Sequence, residues 1–253
     1  TCTPAEASKI RGILGFVFTG LYGKSGRGGL FPLLQRQYWD TEPWTLSDTL
    51  GRVFGFLEDL LGCPMAREIQ LYRSNLPPIV IASDGRLDEA SPASIAVLLV
   101  DLMDGTRWAI VAEVPLVLRQ AWEANSEKYI ALVEQAAVIM GLTMAKSMLR
   151  NRDFYWYEDN AVVLAGLSKG SSNGEELDKG NAAIHLLMAE LRARGWFEYV
   201  ESKSNWSDGA SRLLEDDPWI REHNFVTTRG EVPTWPWLAS AEERLKWVRS
   251  SCS

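Results

Sequence analysis

Residues 155–174 read YWYEDNAVVLAGLSKGSSNG. An aromatic, strand-like run ends on a carboxylate, Asp159. Asn160, a helix-like segment and a Gly/Ser loop follow it. An unpaired carboxylate at the edge of a core is costly, because charge is strongly disfavoured away from water. Two readings meet that cost: Asp159 caps the following helix, or it holds a cation together with other acids.

The flanking sequence supplies the other acids. Upstream, LPPIVIASDG (76–85) places Ile79, Val80 and Ile81 in a short buried strand ending at Asp84. The stretch 95–115 reads as two strands joined at Asp104 and Gly105, a pair that suits a hairpin turn. The stretch 126–150 is the strongest helix signal, with apolar residues recurring at Leu132, Ala136, Ile139, Met140, Thr143 and Met144. After the 155–174 stretch come a helix over 178–195, a strand over 196–205 that leaves into a polar loop, and a helix start over 206–214 with Ser207 or Asp208 available to cap it. From 77 to 214 the order is β-β-β-α-β-α-α-β-α. That order implies an α/β (α+β) fold built on a mixed five-stranded sheet flanked by helices, with three antiparallel strands and two reached by helical crossovers.

Residues 1–76 read as a helical connecting segment. Thr3, Pro4 and Glu6 have the spacing of a capping box. GKSGRGG (23–29) is a flexible basic stretch without Walker spacing and with no strand before it, read as a plain loop or an electrostatic contact. A second helix covers 30–38. The segment 45–61 is amphipathic, with Leu50, Val53, Phe54, Leu57, Leu60 and Leu61 on one side, and Cys63 and Pro64 close it. Residues 215–253 form a Trp/Pro-rich tail with a short helix around AEERLKWVRS.

The chain has 253 residues, 46% of them hydrophobic and 23% charged, and a net charge of -7. That suffices for a sizeable core with an appended subdomain. The acidic balance gives no general attraction for nucleic acid, so a local basic face or bound cations would have to supply it. Lys9, Arg11, Lys24, Arg27 and Arg36 concentrate positive charge near the start. Three scattered cysteines and two isolated histidines fit neither a disulfide framework nor a zinc site. Cys63 reads as a buried thiol at a helix end. No apolar run is long enough to span a membrane. The expected setting is intracellular, cytoplasmic or nuclear. The start TCTPAEASKIRG has no Met and no signal-peptide layout, so the chain reads as a piece of a longer product.

Four acids fall at telling places: Asp84 at a strand end, Glu134 in the long helix, Asp159 at a strand end and Asp208 at a helix start. Strand ends and helix starts on one edge of such a sheet converge, and ligands bind there. Converging carboxylates repel unless cations sit between them. Hard oxygen ligands suit Mg²⁺ or Mn²⁺, and two such ions would serve phosphodiester cleavage.

Three local patterns resemble the ribonuclease H domain of retroelement polyproteins, found beside reverse transcriptases of retrotransposons. They are IVIASDG (79–85), YEDNAVVLAGLSKGSS (157–172) and YVESKSNWSDGASRL (199–213). VEQAAV (133–138) fits the family's helix glutamate. The resemblance covers about 77–214, and residues 4–61 resemble the connecting segment upstream of that domain. It implies that Asp84, Glu134, Asp159 and Asp208 are catalytic and ligate metal, two Mg²⁺ or Mn²⁺ ions. It further implies that the substrate is the RNA strand of an RNA–DNA hybrid and that Asn160, Ser202, Lys203, Asn205, Ser211 and Arg212 contact the nucleic acid. A reverse transcriptase domain of the same polyprotein is the expected partner. The glycine-rich second strand common in the family is missing, as is a histidine in the loop before the last acid.

Each acid has an ordinary structural reading beside this one. Asp159 can cap a helix, Asp208 can complement a helix dipole, Asp84 and Gly85 can form a turn, and Glu134 can lie on a solvated face. His185 reads as a plain helix residue, and Trp206 is the aromatic placed to meet a hybrid. The alternative to a divalent-metal endoribonuclease is a catalytically inactive module of the same fold that binds nucleic acid or a polymerase.

Overall fold

The computed structural model describes residues 1–21, 24–40, 42, 44–62, 76–88, 91–124, 129–239 and 243. The predicted helix at 241–250, Cys63 and Pro64 lie outside the described residues, apart from Glu243. Six strands form one sheet: β1 Ile79–Asp88, β2 Ser91–Asp101, β3 Arg107–Glu113, β4 Asp153–Glu158, β5 Arg194–Tyr199 and β6 Val226–Arg229. Their order is β5-β4-β1-β2-β3-β6. β1, β2 and β3 pair antiparallel, while β4 pairs parallel with β1 and β5 parallel with β4. The sheet is mixed, as expected, but has six strands rather than five. β6 pairs parallel with β3, inside the stretch read as a tail.

The helices are α1 Pro4–Val17, α2 Phe31–Tyr38, α3 Asp48–Gly62, α4 Leu116–Glu123, α5 Ile130–Met144, α6 Lys146–Leu149, α7 Ala161–Lys169, α8 Glu175–Leu191, α9 Asp208–Leu213, α10 Pro218–Glu222 and α11 Trp235–Leu238. The single long helix expected over 126–150 is two helices, broken at Ala145. α5 is not amphipathic: every residue from Leu132 to Leu142 is buried. It lies between the sheet and α7 and α8, so it has no solvent face to keep polar. Two glycines permit this. A Cβ on Gly141 would lie 2.7 Å from Trp156, and one on Gly180 of α8 would lie 1.9 Å from the Gln135 amide oxygen.

The inner strands are covered on both faces. Ile79, Ile81, Ile95, Val97 and Leu99 pack into the main core with α5 and α8. On the other face Ala96, Leu98, Ala109 and Val111 meet Ala210 of α9 and Ile220 of α10. This double cover explains why β2 reads as an almost continuous apolar run.

β1 does not stop at Asp84. Its ladder with β2 continues through Gly85 and Arg86. What stops is its pairing with β4, whose last partners are Ala82 and Tyr157. Asp84 therefore sits two residues beyond the point where β1 and β4 part.

The N-terminal helices form a second small core around Phe18, Leu33, Leu50 and Leu60, shared with Leu186 of α8. The capping box at Thr3 and Glu6 is present, with both hydrogen bonds made. The basic loop is docked rather than free over Lys24–Gly29. Lys24 donates to the Ser168 carbonyl, Arg27 to that of Lys169 at 3.2 Å and Ser25 to that of His185 at 3.1 Å. Gly29 N–H donates to Asp178 at 2.8 Å.

Candidate metal centre

The parting of β1 and β4 opens a crevice, and three acids from different elements enter it. Asp84 comes from β1, Glu134 from α5, and Asp159 from the residue after β4. One carboxylate oxygen of each lies within 4.8 Å of the others. Asp84 and Glu134 are only 6% and 7% exposed. The close crossing of α5 over β1 depends on Gly85, where a Cβ would stand 3.0 Å from the Glu134 backbone nitrogen and 2.9 Å from Val133. Asp84 and Gly85 thus make no turn: they mark the place where a helix lies directly on a strand.

Asn160, not Asp159, caps α7. Its side-chain oxygen accepts from Val162 N–H at 2.9 Å and Val163 N–H at 3.3 Å. The cap reading of Asp159 is thereby replaced, and the Asp159 carboxylate turns to the crevice. Oδ1 of Asp159 and Oε2 of Glu134 are buried and meet no hydrogen-bond donor among the described residues. Buried carboxylate oxygens normally find donors.

The electrostatics follow from burial and crowding. Burial pushes Asp84 up to about 6, against the pull of the Ser211 hydroxyl, and the charges of Asp159 and Asp208 push the same way. Burial pushes Glu134 up to about 8, reinforced by Asp159 and Asp84 and opposed by a hydrogen bond from Asn160. Hard, crowded, under-donated oxygens of this kind fit a divalent cation with oxygen preference.

The structure brings Asp84, Glu134 and Asp159 together and leaves Asp208 outside that group. Asp208 forms an ion pair with Arg212 at 2.8 Å one turn along α9, although its charge still reaches Asp84. The Ser211 hydroxyl donates to Asp84, and the Ser211 carbonyl accepts from Ser94 at 2.6 Å. Asn205 was expected to contact nucleic acid. Instead it is buried, donating to the Ser83 carbonyl at 2.9 Å and accepting from the Ser207 hydroxyl at 2.6 Å. Arg212 is spent on Asp208. Much of the 199–213 motif therefore fastens α9 to β1, while Glu201, Ser202, Lys203, Ser204 and the ion-paired Arg212 stand exposed. Trp206 is 43% exposed and stacks on Trp219, which stacks on His223.

One acid escaped the sequence reading. Glu158 is fully buried behind the three, and burial, with Glu134 nearby, holds its carboxyl well above the usual range. It accepts from Ser83 at 3.0 Å, and Ser83 in turn accepts from the Trp156 indole at 2.7 Å. The signal was present in strand alternation: Phe154, Trp156 and Glu158 share the buried face of β4.

No protein-family model matches the chain, and no curated protein matches it. Among solved structures it is similar to ribonuclease H1 from the halophilic archaeon Halobacterium salinarum. That chain is 18% identical, with 51% of this chain and 89% of that one covered, at a TM-score of 0.38. It is also similar to the N-terminal ribonuclease H domain of a Mycobacterium tuberculosis protein, solved as a fusion with maltose-binding protein. There the identity is 19%, the coverage 58% and 96%, and the TM-score 0.39.

Proposed function

We propose that the protein is a ribonuclease of the H type that hydrolyses the RNA strand of RNA–DNA hybrids with divalent metal. The observation that carries this reading is the convergence of Asp84, Glu134 and Asp159, with two buried oxygens that meet no donor among the described residues. Their order along the chain and the motifs around them support the retroelement type, with a reverse transcriptase domain as partner.

In this reading Asp84, Glu134 and Asp159 hold the ions, and Asp208 joins them if it leaves Arg212. When bound, Mg²⁺ or Mn²⁺ supplies an activated water and neutralises charge on the phosphodiester. Ser211 fixes the rotamer of Asp84 through its hydroxyl. Asn160 anchors the start of α7 beside Glu134. Glu134, with its raised proton affinity, must release a proton to ligate, so loading strengthens as pH rises. Ser202, Lys203, Trp206 and Arg212 are exposed groups of the motif that could meet a strand, through backbone and stacking contacts that do not depend on sequence.

The test is cleavage of an end-labelled hybrid with Mg²⁺ or Mn²⁺, wild type beside Asp159→Asn. Metal-dependent cutting of the RNA strand, reduced at least about a hundredfold in the variant, is expected from losing a ligand. The pairing of Asp208 with Arg212 favours a second reading, a non-catalytic module of the same architecture. Hybrid binding by folded wild type without any cutting would select it.

A further inference from the structure

The basic loop and the acid group are separate features. The loop forms one wall of a groove closed by α1 and by residues 171–173; Arg11, Arg27, Ser171, Ser172 and Asn173 line it together with the Asp178 carboxylate and an apolar side that includes Leu30 and Leu34. Arg11 is half-buried and makes no hydrogen bond or ion pair among the described residues. Arg27 gives one terminal nitrogen to the Lys169 carbonyl, yet its Nε is buried without a partner.

The acid in the groove wall does not answer these charges. Asp178 accepts from the backbone N–H groups of Gly29 at 2.8 Å and Ser172 at 2.9 Å, and it pairs with neither arginine. Two guanidiniums drawn partly out of water, with donors unspent, are unfavourable unless an acceptor-rich anion joins them. Phosphate matches their fork of donors. The hydroxyls of Ser171 and Ser172 and the Asn173 amide add donors that suit an anion and read no base.

We propose that this groove binds a backbone phosphate of nucleic acid, as a second anchor for the strand that crosses the acid group. The identity of the polymer rests on the nuclease reading; the anion preference does not. α7 sets the spacing. It starts at Asn160, beside Asp159, and its nine residues end where the 171–173 rim begins. Nine helical residues rise roughly 13 Å, or about four 3.4 Å steps of one strand. The groove thus lies within reach of the same bound hybrid.

The experiment is fluorescence anisotropy of a labelled RNA–DNA hybrid against salt, in the non-cutting Asp159→Asn background, with Arg11→Glu and Arg27→Gln added singly. Arg11 has no partner among the described residues, so Arg11→Glu is expected to keep the parent's melt. It should weaken hybrid binding about tenfold at low salt and make the slope of log affinity against log salt shallower by about one unit. Parent-like affinity and slope in Arg11→Glu would overturn the proposal. A parallel arm follows the melt of wild type and Arg11→Glu with inorganic phosphate. If phosphate stabilises only wild type while hybrid binding is unchanged in Arg11→Glu, the groove serves a small phosphorylated molecule and the polymer assignment falls. Cutting by wild type with Arg11-independent binding removes the groove and keeps the nuclease. Arg11-dependent binding without cutting does the reverse.

Discussion

At the scale of single residues, the burial of Glu134 links stability to pH. Its carboxyl is pushed up to about 8 and that of Asp84 to about 6, both above ordinary carboxylate values. Between about pH 4 and pH 8 the metal-free folded protein therefore holds protons that the unfolded chain has released. Their contribution to stability is complete below about pH 4 and is lost as pH rises through 6 and then 8. In EDTA the melting temperature should fall across that window, and Mn²⁺ should restore it at the alkaline end. Glu134→Gln removes the upper part of the loss: above about pH 8 the metal-free variant should melt higher than wild type and gain less from Mn²⁺. A variant that melts lower there, or gains as much from Mn²⁺, would count against this account. The meeting of Asp84 and Asp159 was legible from element order, because strand ends fall on one edge; Glu134, inside a helix, joins them through the family resemblance of VEQAAV. Glu158 was not, because its role depends on which face of β4 is covered. Nor was the inward turn of Asn205, which is fixed by a carbonyl 122 residues away in sequence.

At the scale of elements, the decisive contact is α5 lying on β1 at Gly85. A methyl group there meets the Glu134 backbone and Val133, which cannot swing away as a flexible side-chain end would. Gly85→Ala should lift α5 from the strand, costing about 1–3 kcal/mol as overpacking does. Because the displaced segment carries Glu134, the melt should also lose most of its rise on adding Mn²⁺. A variant that is destabilised yet gains the full Mn²⁺ rise would show that helix position and cation binding are independent. The apolar run 79–81 reads as a strand ending at Asp84, and Asp84 with Gly85 also suits a turn. The ladder with β2, which carries the strand through to Asp88, is a long-range pairing that no local pattern records. The break at Ala145 was hidden for the opposite reason: the apolar run is continuous across it, and propensity alone does not end a helix there.

At the scale of the whole molecule, the segment after 214 is part of the sheet. Ile220 covers the face of β2 and β3, β6 extends the ladder, and Trp237 packs edge-on against Trp122 with ring centres 5.0 Å apart. A chain ending at Leu214 would expose Leu98 and Val111, so it should be insoluble or melt well below the full chain; an unchanged melt would refute this. β6 was illegible because VTTR is short, polar and mostly exposed, with no apolar alternation to mark it. The opposite margin of the sheet has a consequence of its own. β5 has no strand beyond it among the described residues, and it carries Trp196 and Tyr199 at 63% and 51% exposure. An open rim of peptide groups flanked by aromatic rings is a template for a second copy, so colloidal behaviour at high concentration should be governed there rather than at the acidic crevice. Trp196→Lys should lower light scattering in concentrated solution while leaving the melt unchanged.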